Sequence, residues 1–185
     1  MIKRLFDIVA SLAALLLLSP LLLGTALAVA LDSGRPVLFR QTRVGRHGHP
    51  FGMLKFRSMV QNAASIGPYY TATDDPRITR VGRFIRRTSL DELPQLLNVL
   101  KGDMSLVGPR PDVPAQQSLY SEADWAQRCS VRPGITGLAQ ALYRSESVGD
   151  QRLQADLRYV RERSFWLDIR IILMTVKRLS GKGSN

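Results

Sequence analysis

The chain opens on its longest apolar run. FDIVASLAALLLLSPLLLGTALAVAL, residues 6–31, carries no charge between Asp7 and Asp32. As one straight helix it would extend about 39 Å, more than the ~30 Å hydrocarbon core of a bilayer requires. A spanning anchor, a cleaved signal peptide and a re-entrant hairpin all fit that pattern. Lys3, Arg4 and Ala26-Leu27-Ala28 resemble the basic start and cleavage site of a signal peptide, but the run exceeds a usual signal core. Pro20 lacks a backbone N–H and its ring meets the carbonyl of Leu16, so a kink is expected there. Ser19 stands beside it to bond a freed backbone group where water is absent. Each arm of a hairpin broken at Ser19-Pro20 would be about 18–20 Å long, enough for one leaflet. Lys3 and Arg4 precede the run, and Arg35, Arg40, Arg43 and Arg46 follow it. A span would put one basic cluster outside, against the positive-inside tendency, whereas a hairpin keeps both on the cytoplasmic face. A proline-kinked span stays open on these grounds.

After residue 33 the pattern changes. PVLFRQ and FGMLKFRSM are short β-prone runs around the turn VGRHGHP, which predicts a hairpin. His47 and His49 belong to that turn, with no cysteine or carboxylate beside them to suggest a metal. In TDDPRITRVGRFIRR, Asp74-Asp75-Pro76 reads as a turn or helix start. Arg77, Arg80, Arg83, Arg86 and Arg87 then interleave with Ile78, Val81, Phe84 and Ile85, as in an interfacial amphipathic helix. Leu93, Leu96, Leu97 and Leu100 recur at helical spacing, and Gly102 is placed to end that helix. FWLDIRIILMTVKRL predicts a further amphipathic helix, docked on the core or lying at headgroup level. GKGSN reads as a frayed tail. The expected fold is mainly α with a small β-hairpin: a re-entrant helix-break-helix at 1–33, and interfacial amphipathic helices around a compact catalytic domain at 34–185.

Composition narrows the partners. A net charge of +11 and a pI near 10.6 call for an anion: nucleic acid, an anionic lipid surface or a phosphorylated substrate. The apolar N-terminus moves the weight toward the membrane. Cys129 is the sole cysteine, which excludes an intramolecular disulfide and fits a reducing compartment.

The chemistry concentrates in RRTSLDELPQLLNVLKGDMSLVGPRPD, residues 86–112. Ser89-Leu90-Asp91-Glu92 matches a capping box, and acids in a first turn complement the helix dipole. Pro94 supports a later helix start instead, leaving Asp91 and Glu92 in a turn. Neighbouring carboxylates point about 100° apart on a helix, so different roles suit them better than a matched pair. A carboxylate can attack phosphorus to give an acyl phosphate. An anion attacking a phosphate needs cations around it, which Mg²⁺ and arginines supply. Arg110 sits between Pro109 and Pro111, whose fixed φ holds it in a rigid loop. VRPGITGLAQ, residues 131–140, is a second Pro/Gly loop carrying an arginine, Arg132, that either binds a ligand or turns the chain.

SPLLL, KFRSM, TSLDELPQLLNVLKGDMSLVGPRP, RPGITGLAQ and DLRYV…FWLDIRI, in that order and over nearly the whole chain, resemble the bacterial sugar transferase family, the small monotopic phosphoglycosyl transferases. The resemblance is to the minimal catalytic form, without the additional N-terminal membrane helices of larger members. It implies transfer of a phosphosugar from a UDP-sugar to a polyprenyl (undecaprenyl) phosphate with release of UMP, at the start of bacterial glycan or glycoconjugate assembly. Asp91 would be the nucleophile that forms a covalent phosphosugar–aspartate, Glu92 its acid/base or metal-binding partner, and Mg²⁺ the cofactor held by Asp91 and Glu92. Pro109-Arg110-Pro111 matches a nucleotide-binding element of the family, and Ser19-Pro20 its membrane break. Lys55, Arg57, Arg87 and Arg132 complete the expected substrate-binding set. The expected location is the cytoplasmic face of the bacterial inner membrane, against its anionic surface, with no nucleic acid as partner. Residues 62–75 and 142–154 carry no family motif and are candidates for sugar specificity. The competing reading is a membrane-anchored module that binds nucleic acid or anionic lipid without catalysis. It accounts for the charge but leaves Asp91-Glu92 and the Pro-Arg-Pro loop unexplained.

Overall fold

The computed structural model describes residues 2–67, 71–72, 75–143 and 149–180. Helices α1 (Ile2–Leu17) and α2 (Ser19–Ser33) meet at Leu18 with a bend of 64°. Pro20 stands in the first turn of α2, where its missing N–H costs nothing. The Ser19 hydroxyl donates to the Leu16 carbonyl at 2.8 Å, as expected of a polar group beside a break. Among the described residues no single helix is long and apolar enough to cross a membrane, while this bent pair together is.

The first turns of α1 are tied to the rest of the protein. Lys3 donates to Asp168 at 2.6 Å and to the Val107 carbonyl. Arg4 donates to the carbonyls of Val99 and Leu100. Asp7 is buried and accepts the Leu106 N–H. Lys3 and Arg4 thus act as docking groups as well as flanking charge.

Strands β1 (Leu38–Val44) and β2 (Pro50–Phe56) form the expected antiparallel hairpin, with Leu38 opposite Phe56 and Val44 opposite Pro50. His47 lies in the turn at φ 56°, and its N–H donates to the Cys129 carbonyl. A short helix α3 (Ala63–Ile66) follows. Asp75-Pro76 makes a turn rather than a helix start, because Asp75 accepts both the Arg77 N–H and its guanidinium; Asp74 lies outside the described residues. The basic helix α4 (Arg80–Arg87) starts later, at Thr79, whose hydroxyl accepts the Gly82 N–H. It buries Ile85 against Val29 of α2 and Phe56 of β2, and leaves Phe84 about half exposed.

The remaining elements are α5 (Gln95–Lys101), β3 (Ser105–Val107), α6 (Glu122–Arg128), β4 (Gly134–Thr136), α7 (Leu138–Tyr143), α8 (Gly149–Glu162) and α9 (Phe165–Ser180). Helix α5 ends at Gly102, in the left-handed conformation (φ 97°) that the sequence predicts. Helix α9 docks on the core through Ile171, which packs with Tyr159 of α8 and Val107 of β3, while Trp166 on its other side is exposed. The parallel pair β3–β4 is absent from the sequence prediction. It forms because Gly108 and Gly134 let two backbones touch: a Cβ on Gly134 would sit 2.1 Å from the Gly108 nitrogen. The tail 181–185 lies outside the described residues.

Candidate active site

Pro94 decides where the acidic pair sits. It stands as the N-cap of α5, so Leu90–Glu92 forms a separate 3₁₀ turn ahead of that helix. Ser89 adopts a left-handed conformation (φ 58°) and its hydroxyl accepts no capping bond. The capping-box alternative is therefore not realised.

The two carboxylates have opposite environments. Glu92 accepts from Lys55 at 2.9 Å and from Arg110 at 2.6 Å, both on Oε1. Burial alone would raise its pKa, but attraction by Arg110 and then Lys55 outweighs it and pulls the group down to about 2. Asp91 is buried, and among the described residues no hydrogen bond or ion pair reaches its carboxylate. Burial raises its pKa and the neighbouring Glu92 adds to that; Lys55, Arg86 and Arg110 oppose it through space. Lys55 is pushed down by burial, with Glu92 acting against that.

Behind Glu92 the Pro109–Pro111 loop is fixed at each of its three carbonyls. The Gly134 N–H donates to Pro109 at 3.0 Å, Arg128 and Arg152 to Arg110, and Arg43 to Pro111 at 3.1 Å. The arginines holding it are themselves anchored. Arg128 pairs with Asp112 at 2.7 Å and with Asp156 at 2.9 Å; Arg152 also pairs with Asp112, and Tyr120 donates to Asp112 at 2.7 Å. Asp112 and Asp156 are each 1% exposed, so this is a desolvated network whose charges compensate one another.

Two clefts flank the acidic turn. One, of about 540 Å³, is mostly apolar and runs along α2 and α4, from Pro20 and Gly24 past Phe84 to Leu90. The other, of about 190 Å³, is walled by Arg43, Arg110, Arg152 and Gln116.

Of the residues singled out in the sequence, Lys55, Asp91, Glu92 and Arg110 come together, with Pro109 and Pro111 framing the last. Arg57 does not join them. It is buried and donates to the carbonyls of Ser33 and Gly34, tying the end of α2 to β2. Arg132 donates to the Gly102 carbonyl at the end of α5, where a cation also complements the helix dipole. Arg87 is exposed on α4, and its neighbour Arg86 is the one that acts on Asp91. Arg43, Arg128, Arg152 and Asp112 were missed. No spacing marks them, since the loop carbonyls that the three arginines hold lie 18 to 68 residues away from them. No group of three or more potential metal ligands occurs among the described residues.

Comparison with known proteins places the chain in a family. Residues 1–182 match the family described as bacterial sugar transferase. The chain is 49% identical to an undecaprenyl-phosphate glucose phosphotransferase of Komagataeibacter xylinus, over 95% of this chain and 35% of that protein. It is 47% identical to the UDP-glucose:undecaprenyl-phosphate glucose-1-phosphate transferase of Caulobacter vibrioides, over 96% of this chain and 69% of the relative. An exopolysaccharide production protein of Rhizobium leguminosarum is 46% identical, with 98% of each chain covered. The chain thus spans about a third of the first relative and nearly all of the last. With the family matched from end to end, this chain belongs to the bacterial sugar transferases.

Proposed function

We propose that this chain transfers a phosphosugar from a UDP-sugar to a polyprenyl phosphate, releasing UMP, through a covalent intermediate on Asp91. The observation that carries the reading is the contrast within the acidic pair: Glu92 is engaged by two cations, whereas Asp91 is buried with no bonded partner among the described residues. A carboxylate kept poorly solvated and unpaired is a competent nucleophile. The names of relatives that act on UDP-sugars and undecaprenyl phosphate support the substrate classes.

In the first step an Asp91 oxygen bonds to the β-phosphorus of the UDP-sugar. The bond from that phosphorus to the bridging oxygen breaks, and UMP leaves with the oxygen and its electron pair. In the second step a phosphate oxygen of the polyprenyl phosphate attacks the same phosphorus, and the Asp91 carboxylate departs. Lys55, Arg86 and Arg110 surround the place where phosphate charge would accumulate. Glu92, so far below the neutral range, acts in this reading as the anchor that positions Lys55 and Arg110 rather than as a proton carrier.

Magnesium belongs to the same proposal. Asp91 offers a free carboxylate to a hard cation that favours one or two carboxylates plus substrate phosphates. Glu92 would join it only by releasing Lys55 or Arg110. Bound Mg²⁺ would offset the negative charge of the diphosphate.

The bent pair α1–α2 serves in this reading as a re-entrant membrane hairpin on the cytoplasmic face of the inner membrane. The apolar cleft from Pro20 to Leu90, ending one residue before Asp91, suits the isoprenoid tail of the acceptor. The decisive assay supplies Mg²⁺, polyprenyl phosphate and a panel of UDP-sugars, and measures UMP. UMP from at least one sugar, lost in Asp91→Asn, is expected; UDP as product, or an active Asp91→Asn, would defeat the mechanism. For topology, single cysteines at Lys3 and Ser33 in a Cys129→Ser background should both resist an impermeant thiol reagent in intact cells. Labelling of only one would indicate a span.

A further inference from the structure

The small polar cleft contains a cation that forms no ion pair among the described residues, with Asp112 and Glu92 acting on it only through space. Arg43, on β1, places its guanidinium on the side-chain oxygen of Gln41 and on the Pro111 carbonyl. Among the described residues no carboxylate lies within ion-pair distance of it. Arg110 and Arg152 line the same cleft, and each has a carboxylate partner, Glu92 and Asp112. Burial, followed by repulsion from Arg110, pushes the Arg43 pKa down to about 10, so the three cations crowd one another. A half-buried, unpaired arginine is costly unless something anionic arrives.

We propose that Arg43, Arg152 and Arg110 form the seat of the departing nucleotide's phosphate, with Arg43 supplying a guanidinium that no carboxylate among the described residues pairs. The proposal rests on the phosphoglycosyl transfer reading above. Its volume of about 190 Å³ lies below the roughly 300–1,000 Å³ of a site that encloses a whole drug-sized ligand. It therefore takes the phosphate end of a nucleotide and leaves the rest outside. Its walls come from β1, the Pro109–Pro111 loop, the segment after it and α8, with nothing from α1, α2 or α4. The apolar cleft lies along α2 and α4 instead. That separation assigns the arginine cleft to the nucleotide rather than to the lipid phosphate. Arg110 belongs both to the cleft and to the Glu92 cluster, so a leaving phosphate passes from the reacting centre into it without losing contact with a guanidinium.

The test is direct binding of UMP to the full chain in detergent by calorimetry, independent of turnover. Arg43→Gln breaks no ion pair and should weaken UMP by about 10- to 100-fold, the worth of a charge-assisted hydrogen bond. Arg43→Lys, which keeps the charge without the fork, should recover part of that loss. Arg40→Gln, on the same strand but exposed, should change it less than about twofold, a bound set by the small worth of exposed charges. Melting temperatures of the variants report their folding, and the lysine variant stands in if the glutamine variant does not fold. Equal UMP affinity in the wild type and both Arg43 variants would overturn the proposal, as would competition by a short alkyl phosphate, which would move the lipid headgroup into the cleft. If UMP binding depends on Arg43 but no UDP-sugar yields UMP, the site stands and the transfer reading falls. If UMP is produced but its binding ignores Arg43, only the site falls.

Discussion

Glu92→Gln separates the electrostatic role of this residue from its bulk. The carboxylate holds Lys55 and Arg110 together, and its side chain is 19% exposed. Its pKa falls from 4.5 to about 2 in the folded protein, and each pH unit of that difference is worth about 1.4 kcal/mol. The cluster therefore contributes about 3 kcal/mol near neutrality, an order-of-magnitude figure consistent with removing one partner of a largely buried pair. A depressed carboxylate stabilises above its unfolded pKa, and the contribution disappears as pH drops through the folded one. Wild type should thus exceed Glu92→Gln by about 3 kcal/mol at pH 7, and the gap should close between pH 4.5 and about 2. Urea unfolding in mild detergent, followed by the fluorescence of buried Trp125, measures it at each pH. A gap of constant size across that range would refute the charge argument and leave packing as the cause.

Asp91→Asn should be more stable than wild type at pH 7. Burial raises the Asp91 pKa, so ionising that group on going to neutral pH costs stability; a melting temperature below wild type would contradict this. Arg128→Met strips the counter-charge from Asp112 and Asp156 and should cost about 3–5 kcal/mol, with Asp156→Asn in the same chain restoring part of it in a double-mutant cycle. Gly134→Ala, whose Cβ would meet the Gly108 nitrogen and the Thr136 carbonyl, should cost about 1–3 kcal/mol. It should also lower UMP release at least tenfold, by moving the loop that carries Arg110.

Local signals in the sequence survived into the structure. Gly102 ends α5 where its freedom at positive φ is needed, the turn between β1 and β2 sits where Gly and His cluster, and the break falls at Leu18, beside Ser19-Pro20. The Asp91–Glu92 turn was one of two readings, favoured by Pro94, which opposes an earlier helix start, and opposed by the match of Ser89–Glu92 to a capping box. Long-range pairing was not readable. Strands β3 and β4 are three residues each, too short to carry a period, and they join segments about 30 residues apart. Arg57 and Arg132 looked equivalent to Arg110 because composition cannot distinguish a guanidinium spent on backbone carbonyls from one left for substrate. Nothing in the sequence marks Asp112 or Asp156 as buried; the fold sets them against Arg128.

The ties on α1 set how far the bent pair can reach. Ser11 on the first arm and Thr25 on the second are buried, and no residue from Leu12 to Gly24 is. On each side of Leu18 about six residues carry no fully buried side chain, roughly 10 Å of helix, whereas a single leaflet is about 15 Å deep, and on the second arm Leu22 already packs against Val29, Phe56 and Ile85. In the re-entrant reading the tip stops short of the bilayer midplane, and the protein behaves as a wedge in one leaflet. Such a wedge displaces lipid on one side only, so its insertion responds to curvature and to lateral packing of that leaflet rather than to bilayer thickness.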